Sequence, residues 1–269
     1  MLMALRASVP GVHLRAWARR AEAAAVLTER GFADLASTRL EEVLHGAGLV
    51  VLCTPVETMP GLAAEMVGLQ GVVAPECVVT DVGSVKATVV AALEDVFARS
   101  AYQFVGSHPM AGSERAGLEA ARPDLFQRAA CLVTPTLFTP ESALATVRAF
   151  WVLLGCRVLE MSPEEHDRKV ARISHLPHIA AAVTALAALH EDPSAGACAG
   201  NGFRDTTRVA AGDPALWTGI LLENRGEVLA SVQAARDLYN ELLAILENVD
   251  DRALHHFLQN AKTLRDGMV

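Results

Sequence analysis

Strand-like apolar runs alternate with helical stretches from Val12 to Met161 and then stop, and this change of pattern constrains the fold more than any other feature. Val12-His13-Leu14-Arg15-Ala16-Trp17 reads as a strand. Residues 20–30 follow as an alanine-rich helix closed by Gly31, a residue suited to the left-handed conformation just past a helix end. Thr38-Arg39-Leu40-Glu41 has the spacing of a capping box and predicts a further helix start. Gly48–Cys53 reads as a buried strand, with Pro55 marking the turn into a helix. Cys77–Asp81, Tyr102–Val105, Ala130–Thr134 and Cys156–Glu160 are further strands, with helices over about 84–99 and 140–154. Alternation of this kind predicts an α/β domain with a largely parallel, doubly wound sheet over residues 1–161.

From Ser162 onward no strand signal remains, so residues 162–269 are expected to be all-α. Ser162-Pro163-Glu164-Glu165 combines an N-cap, a proline at the first helical position and acids in the first turn. Asp213-Pro214 repeats the device before a helix expected to run to about Asn248, and a last helix covers Asp251–Arg265. Helices this long and apolar in a small domain usually bury a face against a partner, which favours a homodimer over the alternative of a monomeric bundle.

The chain is 52% hydrophobic and 20% charged, which supports a sizeable core and argues against disorder. Its net charge is −8 and it has no long basic block, so no nucleic-acid-binding face is expected. The first residues lack the apolar region of a secretion signal. No uninterrupted apolar stretch reads as long enough to span a bilayer, so a cytoplasmic location without membrane partners is expected. Cys53, Cys77, Cys131, Cys156 and Cys198 form no Cys-x-x-Cys pair, and read as small core residues in a reducing compartment.

Four segments can carry chemistry. Gly106-Ser107-His108-Pro109-Met110-Ala111-Gly112-Ser113 follows a strand and reads as a tight loop at its carboxyl end, the edge where open α/β sheets bind ligands. A histidine fixed there titrates near neutral pH and can accept a hydroxyl proton, although it can also simply cap a loop. Asp81-Val82-Gly83-Ser84-Val85-Lys86 is a second strand end running into a helix; Ser84 can serve a ligand oxygen or act only as an N-cap. His166-Asp167-Arg168-Lys169 leads to Ser174-His175-Leu176-Pro177-His178, where the last two histidines share a helix face. No acidic or cysteine partner stands at ligand spacing to them, so no metal is expected. Gly202-Phe203-Arg204-Asp205-Thr206-Thr207-Arg208, followed by Asp213-Pro214 and Trp217, offers arginines that can pair with carboxylates or remain as solvated surface charges.

These four segments, in this order, resemble the prephenate/arogenate dehydrogenase family of tyrosine biosynthesis over nearly the whole chain. Gly-Ser-His-Pro-Met-Ala-Gly and Ser-His-Leu-Pro-His carry the resemblance. It implies a Rossmann-like nucleotide-binding domain followed by a helical substrate and dimerisation domain. It further implies oxidative decarboxylation of prephenate or arogenate to 4-hydroxyphenylpyruvate or tyrosine, with hydride passing to NAD or NADP. By the same resemblance His108 takes the proton of the ring hydroxyl, and Ser84 bonds that hydroxyl or positions the nicotinamide. Arg208 clamps a substrate carboxylate, with His178, Trp217 and Arg204 lining the pocket. Arg19, Arg20, Thr54, Pro55 and Ser84 fall on the cofactor side.

The chain departs from that family at its beginning. A dinucleotide domain opens with a strand and Gly-x-Gly-x-x-Gly, whereas Met1–Ala7 reads as the body of the following helix. The expectation is a sheet lacking its first strand. Either the true start lies upstream, or the chain is a non-catalytic dimeric relative with impaired cofactor binding. Trp17-Ala18-Arg19-Arg20 stands where an acid would bond the ribose of NAD, and its arginines favour the 2′-phosphate of NADP. Arg19 stacked on adenine would leave NAD usable.

Overall fold

The computed structural model describes residues 1–112 and 117–268, so Ser113 at the end of the histidine motif lies outside the described residues. The strands are β1 (Arg15–Trp17), β2 (Leu35–Ser37), β3 (Leu49–Leu52), β4 (Cys77–Asp81), β5 (Tyr102–Pro109), β6 (Ala130–Thr134) and β7 (Arg157–Glu160). Between them lie α1 (Leu2–Ser8), α2 (Ala21–Glu29), α3 (Leu40–Leu44), α4 (Met59–Gly68), α5 (Ala87–Phe97) and α6 (Glu141–Leu153). Strands β3 to β7 pair in sequence order, all in parallel except β5 with β6. β1 and β2 form a separate parallel pair, so the ladder is interrupted between β1 and β3. The resemblance places a further strand at that interruption.

Successive residues of β4 point to opposite faces, and each face has its own core. Val79 packs with Met59, Met66, Leu93 and Phe104 beneath α4 and α5. Val78 packs with Ala4, Val105, Val133 and Trp151 beneath α1 and α6. A sheet covered on both sides explains why its strands read as nearly continuous apolar runs.

Several local expectations are corrected. β2 was not expected, because Leu35-Ala36-Ser37 is too short to show a period. The Thr38–Glu41 capping box does not form: α3 starts from Arg39 without a side-chain cap. Ser37 Oγ instead accepts from Arg39 N at 3.0 Å and donates to Glu42 at 2.6 Å. Helix α5 begins at Ala87 rather than Ser84, so Ser84 is not its N-cap. The Gly106–Pro109 segment is not a tight loop but the end of β5, held by an antiparallel register in which His108 faces Leu132. Gly31 does take a positive φ of 67° past α2, as its position implied.

The C-terminal half is helical: α7 (Pro163–Val170), α8 (Leu176–Leu189), α9 (Asn201–Thr207), α10 (Pro214–Glu223), α11 (Arg225–Glu247) and α12 (Asp251–Asp266). Both expected caps form, with Ser162 Oγ accepting from Glu165 N at 3.2 Å and Asp213 Oδ1 from Leu216 N at 3.0 Å. The single helix expected from Pro214 to Asn248 breaks at Asn224, whose buried side chain is used for tertiary hydrogen bonds. A π-helical turn, Ala171–His175, joins α7 to α8. The resulting helix spans 27 residues, and an 18-residue window of it reaches a mean hydropathy of 1.2. It is long and apolar enough by length and composition alone to cross a membrane, although Arg172 and the charges of its first turns keep its apolar stretch from being uninterrupted. It packs against α5, β6 and α11. Leu186, Leu222, Leu229, Leu238, Leu243 and Leu258 are exposed on this helical half. Cys77, Cys131 and Cys156 are buried as expected of core residues, whereas Cys53 and Cys198 are exposed.

Candidate active site

The parallel pairing of β4 with β5 sets their carboxyl ends side by side. Asp81 closes β4, and its fully buried carboxylate is ion-paired with the equally buried Lys86. It also accepts from Gly83 N at 2.8 Å and from Ser107 N at 3.0 Å. Those bonds offset the desolvation that burying a carboxylate costs. Ser107 Oγ donates to Asp81 O at 2.6 Å and accepts from Trp151 Nε1 at 3.0 Å. Gly83 is required by this packing, since a Cβ there would lie 2.7 Å from Val56 Cγ1 and 2.8 Å from Asp81 Oδ2. The strand ends bearing Ser84 and His108 are thereby locked together.

His108 is buried and its Nδ1 lies 2.9 Å from Nε2 of His166 on α7. His166 Nδ1 lies 2.8 Å from Asp167 Oδ1. Asp167 in turn accepts from Lys86 N at 2.8 Å and from Ala87 N at 2.9 Å, taking up free amides at the start of α5. An ionised carboxylate only accepts, so the proton of neutral His166 sits on Nδ1 and its Nε2 is an acceptor. His108 must then donate from Nδ1, which leaves its Nε2 unprotonated. The chain of bonds fixes the tautomer a general base needs. Burial, followed by His166, Lys86 and His175, holds the His108 pKa well below the usual histidine value, so the base stays neutral in mildly acidic solution.

The continuation of that helix supplies a second group of rings. His178 stacks on Trp217, and the His175 ring lies edge-on to the same indole with centroids 6.2 Å apart. Asn224 Nδ2 donates to Asp167 O at 2.9 Å and lies 3.3 Å from His175 Nδ1. Because an amide nitrogen only donates, neutral His175 carries its proton on Nε2. Its Nε2 and the Nδ1 of His178 are both buried without a hydrogen-bond partner among the described residues. Burial lowers the pKa of both rings, that of His175 to about 4. Two buried polar atoms lacking partners are suited to a polar ligand.

The remaining sequence candidates fall around this core. Thr54 and Pro55 follow β3, and Thr54 Oγ1 is buried without a partner among the described residues. Ser84 is half-buried in the turn after β4. These groups, at the carboxyl edge of the sheet, fit the nicotinamide end of a dinucleotide. Arg19 and Arg20 are exposed past the end of β1. Arg204 on α9 and Arg208 just after it are exposed, and the short turn that Arg208 opens packs against α8. His108 and Ser84 are thus brought to adjacent strand ends, and His178 and Trp217 touch directly.

Residues 2–160 match the family described as prephenate dehydrogenase, nucleotide-binding domain, and residues 162–260 match the prephenate dehydrogenase dimerization domain. The chain belongs to the prephenate dehydrogenase family. It is 36% identical to a prephenate dehydrogenase of Bacillus subtilis over 82% of this chain, and spans 60% of that relative's length. It is 35% identical to a cyclohexadienyl dehydrogenase of Zymomonas mobilis, covering 85% of this chain and 78% of the relative. Among solved structures, it is similar to prephenate dehydrogenase from Aquifex aeolicus in complex with hydroxyphenyl propionate and NAD+. That likeness has a TM-score of 0.88 at 30% identity and covers 98% of this chain and 92% of the other. A Synechocystis arogenate dehydrogenase matches with a TM-score of 0.81 at 31% identity, over 99% of this chain and 95% of that one.

For this prephenate dehydrogenase family member, Asp81, Lys86, His166 and Asp167 stand in segments that the sequence singles out but gives no role to, and Asn224 is not singled out at all. One signal was legible: His166-Asp167 stands directly after the Ser162-Pro163 helix start and ahead of two more histidines on the same helix. Lys86 left no such signal, because a lysine at a helix start normally reads as solvated.

Proposed function

We propose that the chain catalyses oxidative decarboxylation of a cyclohexadienol dicarboxylate, prephenate or arogenate. The observation that carries this reading is the bond series from His108 through His166 to Asp167, which presents an unprotonated Nε2 at the ligand-binding edge of the sheet. A nicotinamide bound at that edge supplies the hydride acceptor. His108 takes the ring-hydroxyl proton at Nε2 as the carbinol carbon gives up its hydride. The ring carboxylate then leaves as carbon dioxide, the ring becomes aromatic, and His108 returns its proton to the phenolate oxygen. No net proton is released, so the base needs only to hold one proton briefly.

Ser84 donates to the same hydroxyl or orients the nicotinamide. Arg208 pairs with a substrate carboxylate, Arg204 adds positive field, and the His178–Trp217 stack forms an apolar wall for the ring. Holding the substrate in one pose contributes much of the acceleration, since aromatisation supplies the driving force. Arg19 and Arg20, exposed beyond β1, support a preference for NADP over NAD. Thr54 and Pro55 line the nicotinamide side. Residues 1–161 act as the nucleotide-binding unit, and residues 162–269 complete the substrate pocket and form a homodimer through the exposed leucines of α8, α10 and α11. A non-catalytic relative would have no use for a buried, tautomer-fixing histidine series, which is why the catalytic reading is preferred.

The test is direct. Purified protein is incubated with prephenate and, separately, arogenate, each with NAD+ and with NADP+. Reduced nicotinamide and carbon dioxide in equal amounts support the reading; neither product in any of the four mixtures overturns it.

A further inference from the structure

We propose that the positive charge created when His108 accepts the substrate's proton is carried by His166, with Asp167 as its counter-ion. The role of His108 in this statement rests on the function proposed above, but the place where charge settles is a property of the protein alone.

The geometry supplies a path for one proton. When a proton arrives on His108 Nε2, the Nδ1–H of His108 points along the 2.9 Å bond to His166 Nε2. Transfer along that bond leaves His108 neutral, with its proton on Nε2. His166 becomes doubly protonated and keeps its Nδ1–H on Asp167 Oδ1 at 2.8 Å. The reverse shift restores His108 as an imidazolium when the phenolate reclaims the proton. The transfer breaks one N–H bond, at His108 Nδ1, and forms one, at His166 Nε2; the return reverses both, and nothing is oxidised or reduced.

The surroundings of the two rings decide which of them holds the charge better. His108, on β5, faces His166 from α7, Lys86 from the start of α5 and His175 from the π turn; each of these opposes a second positive charge. His166 also faces Lys86, but Asp167 beside it and Asp81 from β4 both favour its charged form. Asp167 is itself fixed by two amides at the N-terminus of α5, an 11-residue helix whose dipole favours a carboxylate there. A cation on His166 forms a hydrogen-bonded ion pair, whereas one on His108 forms none with these neighbours. His166 and Asp167 are therefore positioning residues acting through His108.

The experiment is an acid titration of the 15N-histidine-labelled full chain by NMR without substrate, with the two rings assigned by loss of signal in His108→Gln and His166→Gln. The expected result is that His166 becomes the imidazolium before His108 does. Turnover supplies a second readout. Asp167→Asn is expected to lower kcat by about 100-fold with KM nearly unchanged, and to move the acid limb of kcat to lower pH because the acceptor pair is less basic. A merely destabilised protein would move that limb to higher pH. If Asp167→Asn does not fold, His166→Gln replaces it: glutamine can still accept from His108 Nδ1 but cannot hold the charge, so kcat falls while KM holds. Charge appearing first on His108, or losses confined to KM, overturns the proposal. Absence of turnover in the wild type, with His166 charging first, instead removes the proposed function and leaves the placement of charge standing.

Discussion

The imidazole of His178 lies flat against the indole of Trp217, with ring centroids 3.6 Å apart and planes 11° from parallel. The pair joins α8 to α10 and makes a flat, rigid wall at the position where a ring substrate is proposed to lie. Gly212 packs closely against both rings.

Replacing Gly212 by alanine should disturb the stack rather than the backbone. Its φ of −62° is one any residue adopts, but the added Cβ would lie 2.6 Å from Trp217 Nε1 and 3.2 Å from His178 Cε1. The expected outcome is a several-fold rise in substrate KM with a thermal midpoint only a few degrees lower, read by initial rates and thermal unfolding. An unchanged KM would show that the stack is not part of the substrate site.

His108→Asn should remove the base while leaving the fold in place. General-base groups contribute typically 10²- to 10⁴-fold, so kcat/KM is expected to fall by roughly 1,000-fold. Circular dichroism should match the wild type.

Lys86→Met is expected to act on stability first. The substitution leaves the fully buried Asp81 carboxylate without its cation, and breaking a buried pair in this way costs about 3–5 kcal/mol. Urea unfolding measures it. The double variant with Asp81→Asn should recover part of the loss, because no uncompensated charge then remains.

Acid should weaken the fold before it protonates the site. His108, His166, His175 and His178 all have lowered pKa values when folded, so below the ordinary value of about 6.5 the unfolded chain binds more protons than the native one. Stability is therefore fully present above that pH and falls as pH drops toward about 4, where His175 titrates in the folded protein. Each histidine still neutral only in the folded state contributes a slope of about 1.4 kcal/mol per pH unit. Denaturant midpoints measured across this range should decline steadily; a flat profile would contradict burial of neutral rings.

Arg19→Asp should move cofactor choice toward NAD. An acid near the end of β1 bonds a ribose hydroxyl and repels a 2′-phosphate, so kcat/KM with NADP+ is expected to drop at least tenfold relative to NAD+. Equal ratios before and after the change would remove Arg19 from cofactor selection.

Much of this architecture was legible because it rests on local rules. The Ser162 and Asp213 caps, Gly31 past α2 and the apolar strands β3, β4 and β6 follow from residue type and spacing alone. What escaped depends on partners distant in sequence. Pro109 sits within β5 only because β6 returns antiparallel beside it. Ser84 gave up the cap position because Asp167, 81 residues away from Lys86, serves the start of α5. Asn224 breaks a helix that its neighbours would have continued, since its amide is drawn to Asp167 and His175. In the site the segments were visible as motifs, whereas the pairing of Lys86 with Asp81 depends on burial that no local pattern records.

The π turn at Ala171–His175 works as an indexing step in a shaft. An α-helix advances about 100° per residue, so nine regular steps from His166 would set His175 on the opposite side. The wider turn absorbs roughly one residue of rotation and swings His175 and His178 back toward the side that bears His166. Inserting one residue just after the turn would instead rotate the whole downstream segment by about 100°, whereas deleting one residue from Ala171 to Ser174 would let the helix run regularly with His175 and His178 still facing that side. Such an insertion should therefore be more damaging to activity than the deletion, because it uncouples two sets of rings that are each left chemically intact.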